Sequence, residues 1–551
     1  MKEQKILIIG GVAGGTKTAA KLKRENSNLD VTIITRDEYI SYAGCGLPYY
    51  VGGVIEDKGE LVVKTPEDFK LITGVDVFIK HEAIEINREE KTVKVKVLTT
   101  GETKDFHYDK LVLATGASPF IPPIEGRELD GVFSLRKVED ALAIRELVES
   151  GKIKKGVVIG GGFIGLETAE NLFEKGIEVT LIELAPHILP GFDEEIALYA
   201  QNYMREKGVN ILTSERAVGI KGTAEVEGVV TDKRELEADL VIMSVGVKPN
   251  VELAKDIGVD IGVTGAIKVN ENMETNISDI YAVGDCAESI NLITGKPAWY
   301  PMGSTANKMG RIAGININDL KEKDSLKGVL GTTIVKLFGL NAGKTGLSEA
   351  AAIKERYNPI SVLVPGNDRA HYYPGYRMIL TKLIADRDSH RVLGAQVIGE
   401  GVVDKPIDVI ATAITLGAKV EDLEKLDLAY APPFSMAMST TILAANVIIN
   451  KLKGKVETIS PLELKNRKDE VVILDIRDEA SHRISSIPNS VNIFSEDLYM
   501  RGKELDRDKE TVILCKIGKN AYLSYLKLKE MGFKNVKVLE GGITAYPYEI
   551  V

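Results

Sequence analysis

The sequence predicts an α/β protein with two parallel-sheet units, an α+β segment and a small C-terminal α/β module. Two strand–glycine loop–helix–strand patterns begin at residues 6 and 156, and a new run of short apolar strands follows Lys455. Strands that alternate with helices indicate parallel sheets. A chain of 551 residues is long enough for several domains of roughly 100–200 residues each.

The first pattern has a glycine-rich loop between a strand and a helix. Its parts are strand Ile6–Ile9, loop Gly10–Gly15, helix Thr16–Glu25 and strand Val31–Ile34. Glycines in such loops let the backbone approach a pyrophosphate at the helix N-terminus. Val12 occupies the middle glycine position and Thr35 the place of the usual ribose carboxylate, for which Arg36 or Asp37 could substitute.

The second pattern is a complete Gly-x-Gly-x-x-Gly loop. Its parts are strand Gly156–Ile159, loop Gly160–Gly165, helix Leu166–Lys175, strand Glu178–Ile182 and Glu183. The closing carboxylate can accept a hydrogen bond from a ribose 2′-hydroxyl. No arginine lies between Glu183 and Pro190 to bind a 2′-phosphate, which favours NADH over NADPH. The predicted nicotinamide-nucleotide residues are Gly160, Gly162, Phe163, Ile164, Gly165, Glu183 and Gly246.

Composition excludes several classes of protein. Three cysteines rule out a disulfide scaffold and fit a reducing cytoplasm, and a net charge of −10 disfavours a nucleic-acid partner. The N-terminus enters a strand without a signal-peptide pattern, so we expect a cytoplasmic protein without a membrane partner. The apolar stretch Phe434–Asn450 is too short for a membrane span and is interpreted as a core or interface helix.

Cys45 lies in Ser41-Tyr-Ala-Gly-Cys-Gly-Leu-Pro-Tyr-Tyr50, where the position of a possible resolving cysteine is Tyr50. A lone thiol near a nucleotide-binding loop suggests a mixed disulfide, a persulfide or a sulfenic acid. The alternative is a buried structural cysteine. Gly44, Gly46 and Pro48 favour a tight turn instead.

Two further segments, Leu111–Gly116 and Thr275–Asp285, are apolar strands that end at small or acidic residues. Together with the two loops, they resemble the pyridine nucleotide–disulfide oxidoreductase family, with a glutathione-reductase-like fold. The resemblance implies FAD beside the nicotinamide, and it makes Cys286 a packing residue. The implied FAD residues are Gly10, Val12, Ala13, Gly14, Gly15, Arg36, Ser41, Thr115, Gly116, Asp285 and Ala306.

The context of Cys45 resembles the single-cysteine branch of that family, which includes coenzyme A-disulfide reductases, NADH oxidases and peroxidases, and persulfide or polysulfide reductases. Ala370–Gly375 and Ala429–Pro433 are similar to tyrosine motifs of the coenzyme A branch. The resemblance implies a homodimer in which Tyr372 and Tyr430 hydrogen-bond near the thiolate of the other subunit. Interface aromatics with satisfied hydroxyls are the alternative.

The C-terminal module resembles a rhodanese domain. Cys515 ends an apolar strand and opens a short loop before a predicted helix, Ala521–Met531. Loop amides and a helix N-terminus stabilise an anionic sulfur. Lys516, Gly518 and Lys519 are the candidate residues for an anionic sulfur donor, although surface lysines are usually only solvated.

The predicted domains follow from these segments. They are an FAD-binding domain of residues 1–115 and 248–325, an NAD(P)H-binding domain of 116–247, a dimerisation domain of 326–450 and a rhodanese domain of 455–551. The predicted enzyme uses NADH and FAD to reduce a persulfide, polysulfide or disulfide through Cys45, with Cys515 relaying sulfur. No metal is expected.

Coenzyme A is a possible carrier, because Lys17, Lys21 and Arg24 give the first helix a basic face suited to phosphates. Gly44 and Met438 depart from the coenzyme A branch, where asparagine and lysine are common. Two other functions stay open: an NADH oxidase or peroxidase with a passenger rhodanese domain, and a sulfur carrier or redox sensor with vestigial reductase activity.

Overall fold

The computed structural model describes residues 4–318 and 323–551. Residues 319–322 of the predicted FAD-binding segment lie outside the described part. The chain divides into two compact units. The first consists of Met1–Leu184 and Glu215–Val329, and the second of Ala185–Ser214 and Leu330–Val551.

The chain up to residue 115 builds the first parallel sheet and the cysteine loop. Its elements are β1 (Lys5–Ile9), α1 (Ala13–Glu25), β2 (Asp30–Ile34), a 3₁₀ turn (Gly44–Gly46), α2 (Leu47–Val51), α3 (Lys58–Leu61), α4 (Pro66–Thr73), β3 (Asp76–Phe78), β4 (His81–Asn87), β5 (Thr92–Val97), β6 (Thr103–His107) and β7 (Lys110–Leu113). β1 pairs in parallel with β2 and β7, so that Ile6 lies opposite Val31 and Lys110. The loop after β1 therefore lies at the carboxyl edge of the sheet, where α/β proteins bind ligands.

The next segment contains the second parallel sheet and strands of two small antiparallel sheets. Its elements are β8 (Ala117–Pro119), β9 (Val132–Ser134), α5 (Val138–Glu149), β10 (Lys155–Ile159), α6 (Phe163–Glu174), β11 (Glu178–Ile182), α7 (Glu194–Lys207), β12 (Asn210–Leu212), β13 (Ala217–Gly222), β14 (Val226–Thr231), β15 (Glu235–Glu237), β16 (Leu240–Met243) and β17 (Val247–Pro249). β10 pairs in parallel with β11 and β16. This arrangement repeats that of β1, which confirms the two predicted strand–loop–helix patterns.

The chain then returns to the first sheet. Its elements are α8 (Glu252–Asp256), β18 (Ile280–Ala282), a 3₁₀ turn (Gly284–Cys286), β19 (Ser289–Ile290), β20 (Pro297–Ala298) and α9 (Gly303–Asn316). β18 pairs in parallel with β7 and completes the strand order β18-β7-β1-β2-β3. The turn after β18 consequently lies beside the loop after β1.

In the second unit, residues 330–452 form an antiparallel sheet with helices packed on it. The elements are β21 (Thr333–Leu337), β22 (Leu340–Gly346), α10 (Glu349–Lys354), β23 (Pro359–Asn367), β24 (Met378–Asp386), β25 (Val392–Gly399), α11 (Asp404–Thr415), α12 (Val420–Glu424) and α13 (Thr440–Leu452). The sheet order is β21-β22-β25-β24-β23.

The predicted start of the last of these helices was wrong. α13 begins at Thr440 rather than at Phe434, because the Ser439 hydroxyl accepts from the Ile442 N–H at 3.4 Å and caps the helix. Phe434 and Met438 precede the cap and are exposed.

The C-terminal module is a parallel sheet flanked by helices. Its elements are β26 (Thr458–Ile459), α14 (Pro461–Arg467), β27 (Val472–Asp475), α15 (Glu479–Ile484), β28 (Val491–Asn492), α16 (Leu498–Arg501), a 3₁₀ turn (Gly502–Glu504), β29 (Thr511–Leu514), α17 (Lys519–Glu530), β30 (Val536–Leu539) and a 3₁₀ turn (Ile543–Ala545). The strand order is β26-β30-β29-β27-β28. β29 is central, and the chain leaves it at Cys515.

Glu540 ties this module to the antiparallel sheet of the same unit. Its carboxylate is buried, pairs with Lys451 Nζ at 2.6 Å and accepts from the Leu363 N–H at 3.1 Å. A buried charge needs such partners, because an unpaired one would cost several kcal/mol. In the part of the chain that the structure describes, no helix is both long enough and apolar enough to span a membrane.

Candidate active site: two nucleotide loops and two reactive thiols

The turn after β1 accepts only glycine at its first and last positions. Gly10 has φ +116°, and a Cβ there would stand 2.0 Å from the Ala114 carbonyl oxygen. A Cβ on Gly15 would stand 1.9 Å from the Gly10 oxygen. α1 already begins at Ala13, so Ala13, Gly14 and Gly15 form its first turn, and their N–H groups are those of a helix N-terminus. This is the geometry that holds a dinucleotide phosphate.

The turn after β10 has the same geometry. Gly160 has φ +111°, and its Cβ would stand 2.3 Å from the Ser244 oxygen. A Cβ on Gly162, in contrast, would meet no atom within 4 Å. The middle glycine therefore leaves a space at the N-terminus of α6 that is open to a ligand. Val12 stands at the equivalent position of the first turn and occupies part of the corresponding space there.

Glu183 lies beside this second turn, where the sequence predicts it. Its Oε2 accepts from the Gly161 N–H at 2.6 Å. The carboxylate is thus fixed next to the loop, at the position that suits a ribose hydroxyl. Phe163 and Ile164 begin α6, and Ile164 is partly exposed at the mouth of the turn.

The turn after β18 completes the site around the first loop. A Cβ on Gly14 would stand 3.5 Å from Gly284 Cα, and a Cβ on Gly284 would stand 3.5 Å from Ala306 Cβ. Asp285 follows directly, and its Oδ2 accepts from Arg136 Nη2 at 2.8 Å. The predicted FAD residues Gly14, Asp285 and Ala306 are therefore neighbours.

The crossing between the two sheets is held by hydrogen bonds. Thr115 Oγ1 donates to the Asn250 oxygen at 2.6 Å, and Asn250 Nδ2 donates to the Thr115 oxygen at 2.8 Å. Gly116 directly precedes β8 and Gly246 directly precedes β17. Both have positive φ, which lets the chain turn before each of these strands.

The cysteine loop is anchored to the first nucleotide loop. Ser41 has φ +48°, its N–H donates to the Gly11 oxygen at 2.9 Å, and its oxygen accepts from the Val63 N–H at 3.1 Å. Cys45 lies in the 3₁₀ turn that follows, and its side chain is exposed. Cys286 is fully buried, and its thiol lies 3.4 Å from the Leu113 oxygen. Cys45 is therefore the accessible thiol of the first unit.

Opposing charges act on Cys45. Partial desolvation by neighbouring protein atoms and the Glu167 carboxylate raise the pKa of the Cys45 thiol, while the Arg136 guanidinium lowers it. Burial, together with Asp37, raises the pKa of Tyr42 to about 12. Tyr42 hence stays protonated across the physiological range.

The helix after Cys45 is clamped by side chains from α5 and α6. Tyr49 donates from its hydroxyl to Glu167 Oε1 at 3.0 Å. The Arg145 guanidinium lies 4.3 Å from the centre of the Tyr50 ring and donates to the Ile55 oxygen at 3.0 Å. The position of the helix after Cys45 thus depends on residues 90 to 118 positions away from their partners.

The basic residues on α1 differ in accessibility. The stems of Lys17 and Lys21 pack against α9 at two glycines. A Cβ added at Gly310 would stand 3.0 Å from Lys17 Cβ, and one added at Gly314 would stand 2.7 Å from Lys21 Cβ. Lys21 also pairs with Glu25, while Arg24 is exposed. Two of the three predicted basic residues are therefore part of a helix–helix contact.

Three other predicted residues have exposed positions. Arg36 lies 3.9 Å from Glu82, a weak surface pairing that leaves its guanidinium accessible. In the second unit, the hydroxyls of Tyr372 and Tyr430 lie 3.4 Å apart, and the two side chains are 64% and 51% exposed. The structure thus brings the two tyrosines together on one surface.

Cys515 contrasts with Cys45 because it is buried. Its Sγ accepts from the Gly518 N–H at 3.1 Å, and Gly518 takes φ +93° to aim that N–H at the sulfur. The Cys515 oxygen accepts from the Ile543 N–H at 3.0 Å. Lys516 and Lys519 are exposed at the rim, and α17 begins at Lys519. The loop is built to hold an anionic sulfur.

Comparison with known protein families agrees with this geometry. The family model described as pyridine nucleotide-disulphide oxidoreductase matches residues 4–299, and its dimerisation domain matches residues 332–442. The rhodanese-like domain model matches residues 460–547. The chain belongs to the pyridine nucleotide-disulphide oxidoreductase family.

Several relatives cover the oxidoreductase part. The NAD(P)H sulfur oxidoreductase (CoA-dependent) of Pyrococcus furiosus is 42% identical over 81% of this chain and 100% of its own length. The NADH oxidase of Methanocaldococcus jannaschii is 38% identical over 82% of this chain and 99% of its own length. The relatives thus carry more than one activity name.

Solved structures extend the match to the rhodanese module. The structure of reduced Bacillus anthracis CoADR-RHD has a TM-score of 0.94 and 37% identity, and covers 99% of this chain and 98% of that one. An NAD-dependent persulfide reductase from A. fulgidus has a TM-score of 0.93 and 42% identity, and covers 98% of this chain and 100% of that one. Both confirm the predicted order of modules in this family member.

The cofactors of this pyridine nucleotide-disulphide oxidoreductase are FAD and NAD(P)H. The residues present fit both. The backbone of Gly14 comes close to that of Gly284 at the N-terminus of α1, where a pyrophosphate would be held, and Gly162 leaves an open space beside Glu183. The chain would hold FAD at the first turn and the nicotinamide nucleotide at the second.

Sequence reasoning missed Arg136, Tyr49 and Glu167. Arg136 follows β9 and Glu167 lies on α6, so each comes from a segment far along the chain from the residue that it contacts. A carboxylate one turn inside the helix after a Gly-x-Gly-x-x-Gly loop was the available signal for Glu167, since such helices face the nucleotide site.

Proposed function

We propose that the protein is a flavoprotein reductase that uses NADH to reduce sulfane sulfur through Cys45, in a homodimer whose rhodanese domain supplies sulfur. The observation that carries the proposal is the pairing of one exposed thiol, joined to the first nucleotide loop through Ser41, with a second thiol in an anion-holding loop. The domain bounds are those predicted from the sequence.

The Cys45 thiolate attacks the outer sulfur of a persulfide or polysulfide. A bond forms between Cys45 Sγ and that sulfur, the S–S bond of the donor breaks, and the donor leaves as a thiolate or shorter polysulfide that takes up a proton. When bound, NADH and FAD supply the electron pair that releases the transferred sulfur as hydrogen sulfide. Because there is no neighbouring cysteine in the loop, a small molecule must provide the second sulfur.

Nucleotide preference depends on Glu183. Its carboxylate is held beside the second turn by the Gly161 N–H, where a ribose 2′-hydroxyl could donate to it and where its negative charge would repel a 2′-phosphate. NADH is therefore the proposed electron donor, and NADPH a poorer one.

The Cys515 thiolate attacks the sulfane sulfur of a donor. A bond forms between Cys515 Sγ and that sulfur, the donor's own bond to it breaks, and the rest of the donor leaves as an anion, so that Cys515 carries a persulfide. The Gly518 N–H and the cations of Lys516 and Lys519 support the anionic forms of donor and product. The names of relatives that include a CoA-dependent enzyme support coenzyme A as a carrier, bound by Lys17, Lys21 and Arg24.

Tyr372 and Tyr430 act at the partner subunit's Cys45 in this proposal. Their exposed, mutually hydrogen-bonded hydroxyls can donate to a leaving thiolate. Cytoplasmic location follows from the redox chemistry, since a free thiol at Cys45 and Cys515 requires a reducing compartment.

The experiment that tests the function is the capture of sulfur on Cys45. The reduced holoenzyme is mixed anaerobically with polysulfide, and the peptide that contains Cys45 is analysed by mass spectrometry before and after NADH is added. We expect the mass of one added sulfur that disappears with NADH. A sulfenic acid formed only when oxygen is admitted, with no sulfur adduct, would instead support an NADH oxidase.

A further inference from the structure

The buried carboxylate of Glu540 connects the C-terminal module to the antiparallel sheet and has no role in the function proposed above. Glu540 directly follows β30. Three donors from other segments bind it: Lys451 Nζ at 2.6 Å, Thr458 Oγ1 at 2.5 Å and the Leu363 N–H at 3.1 Å. Lys451 lies in α13 and Leu363 in β23, both outside the rhodanese module. The end of β30 is therefore held from outside its own module.

The residues that follow Glu540 hold the backbone of the Cys515 loop. The Ile543 N–H donates to the Cys515 oxygen at 3.0 Å, and the Thr544 N–H donates to the Lys516 oxygen at 3.2 Å. These two bonds fix the segment that carries the thiol. The position of the sulfur thus depends on the turn after Glu540.

The contact between this turn and the Cys515 loop is close. Gly542 has φ +59°, and a Cβ there would stand 2.4 Å from the Cys515 oxygen. Gly518, whose N–H donates to Sγ, would place a Cβ 3.9 Å from the Leu539 oxygen. A shift of the turn would consequently move both the thiol and its hydrogen-bond donor.

The far end of the same segment is held from outside the module as well. Asn202 Nδ2 donates to the Pro547 oxygen at 2.8 Å, and the Tyr548 hydroxyl donates to Glu194 Oε1 at 3.2 Å. Asn202 and Glu194 lie on α7, which belongs to the same compact unit. We call residues 540–548 the brace segment. Both of its ends contact the oxidoreductase part of the chain, and its middle contacts the Cys515 loop.

We propose that the brace segment positions Cys515 for sulfur transfer, so that the rhodanese site has its active geometry only while the oxidoreductase part holds both ends of the segment. This inference rests on the proposed role of Cys515 as the nucleophile that accepts sulfur. Glu540 is a positioning residue in this account, because it acts on the thiol through the backbone of residues 541–544. A displacement of about 1 Å at a reacting group can cost on the order of a hundredfold in rate.

The test uses Lys451→Met in the full-length holoenzyme, because Lys451 lies outside the rhodanese module. Its loss leaves the buried Glu540 carboxylate without a cation, so the end of β30 should shift. We expect kcat for sulfur transfer from thiosulfate to cyanide to fall by about tenfold to a hundredfold. KM should stay within about twofold, because the rim lysines that attract the anion remain and act weakly through solvent. Lys453→Met, exposed at the end of the same helix, is the matched control.

Glu540→Gln removes the charge but keeps an acceptor for the Leu363 N–H. We expect the same loss of kcat as in Lys451→Met. The double variant should lose less than the two single effects combined, because it contains no unpaired buried charge. Glu510→Gln, which breaks ion pairs elsewhere in the same module, should match the wild type.

Hydrogen–deuterium exchange gives a reading that does not depend on activity. The peptide that contains Ile543 and Thr544 should exchange about tenfold faster in Lys451→Met, since its hydrogen bonds to the Cys515 loop open more often. The peptide that contains β27, inside the sheet, should exchange as in the wild type.

An unchanged kcat in Lys451→Met would overturn the proposal, and faster exchange beside it would leave Glu540 as a structural link alone. If Lys451→Met does not fold, Tyr548→Phe, which releases the other end of the segment, decides by the same criteria with a loss of about threefold to tenfold.

The sulfur adduct on Cys515 is measured in parallel, by mass spectrometry of wild type and variants after incubation with thiosulfate. Its absence from the wild type would reject the proposed function of Cys515 and the inference with it. An adduct that forms equally fast in the wild type and in Lys451→Met would reject only the positioning role.

Discussion

The two candidate catalytic thiols of this chain lie in loops of opposite design. Cys45 is exposed, and partial desolvation together with the Glu167 carboxylate raises its pKa against the effect of the Arg136 guanidinium. Cys515 is buried at the end of a central strand and accepts a hydrogen bond from the Gly518 N–H. An exposed thiol suits a group that reacts with a small molecule, whereas an enclosed one suits a group that holds a transferred anion.

The chemistry of each cysteine depends on the residues that pack against its loop. Beside Cys45 are α5 and α6, whose side chains contact the helix that follows the thiol from segments distant in sequence. Behind Cys515 are the adjoining loop amides and the turn at Ile543. The first thiol can therefore be adjusted by the nucleotide domains, and the second by the contacts of that turn.

The largest expected effect is that substitution of Cys515 separates the two activities. Cys515→Ser should abolish transfer of sulfur from thiosulfate to cyanide, by on the order of 10³-fold or more, since the nucleophile is gone. It should leave NADH-dependent reduction of small polysulfides within about twofold of wild type. Loss of both activities in Cys515→Ser would show that the two loops work as one site.

Gly518→Ala tests the Cys515 loop without removing the sulfur. At φ +93° an alanine is strained by about 1–3 kcal/mol, so the loop should shift and move the N–H away from Sγ. Sulfur transfer should fall by about tenfold or more, as expected for a hydrogen bond to a charged group. Gly532→Ala, at φ +89° with no atom within 4 Å of its Cβ, is the matched control. Equal losses in the two variants would mean that the effect is general destabilisation.

Arg136→Gln sharpens the electrostatic side of the comparison. Its guanidinium lowers the pKa of Cys45, so its loss should raise that pKa and leave less thiolate at any pH below the midpoint. The alkylation rate of Cys45 near pH 7 should fall by about threefold to tenfold. Arg127→Gln, an exposed arginine paired with Glu128, serves as control. A rise in rate would contradict the account.

The smallest effect is expected for the lysines at the rim of the second loop. Lys516→Gln and Lys519→Gln should each raise the KM for thiosulfate by about twofold to fivefold, because exposed charges act weakly through solvent. Salt at about 0.5 M should remove most of the difference. Lys503→Gln, exposed elsewhere in the same module, should have no effect. A difference that persists in high salt would indicate direct contact instead.

Much of this architecture was readable from the sequence because it is local. The turns at Gly10 and Gly160 and the strand that ends at Cys515 each depend on residues within one strand–loop–helix unit. The predicted helices began two or three residues late, since the final residues of each loop already form the first helical turn.

The remaining features depend on contacts between distant segments. The Arg136–Asp285 and Tyr49–Glu167 pairs join residues 149 and 118 positions apart, and no local pattern announces them. The packing of Lys17 and Lys21 against α9 could likewise not be predicted, because it depends on Gly310 and Gly314 lying beside α1 in the folded chain. The basic face that a helical wheel shows is consequently only partly available.

The most direct test of the central claim is anaerobic oxidation of NADH with polysulfide, with sulfide quantified, in wild type, Cys45→Ser and Cys515→Ser. We predict one sulfide for each NADH in the wild type, none in Cys45→Ser, and near-normal yield in Cys515→Ser. NADH oxidation that needs oxygen, or sulfide production that survives Cys45→Ser, would contradict the account.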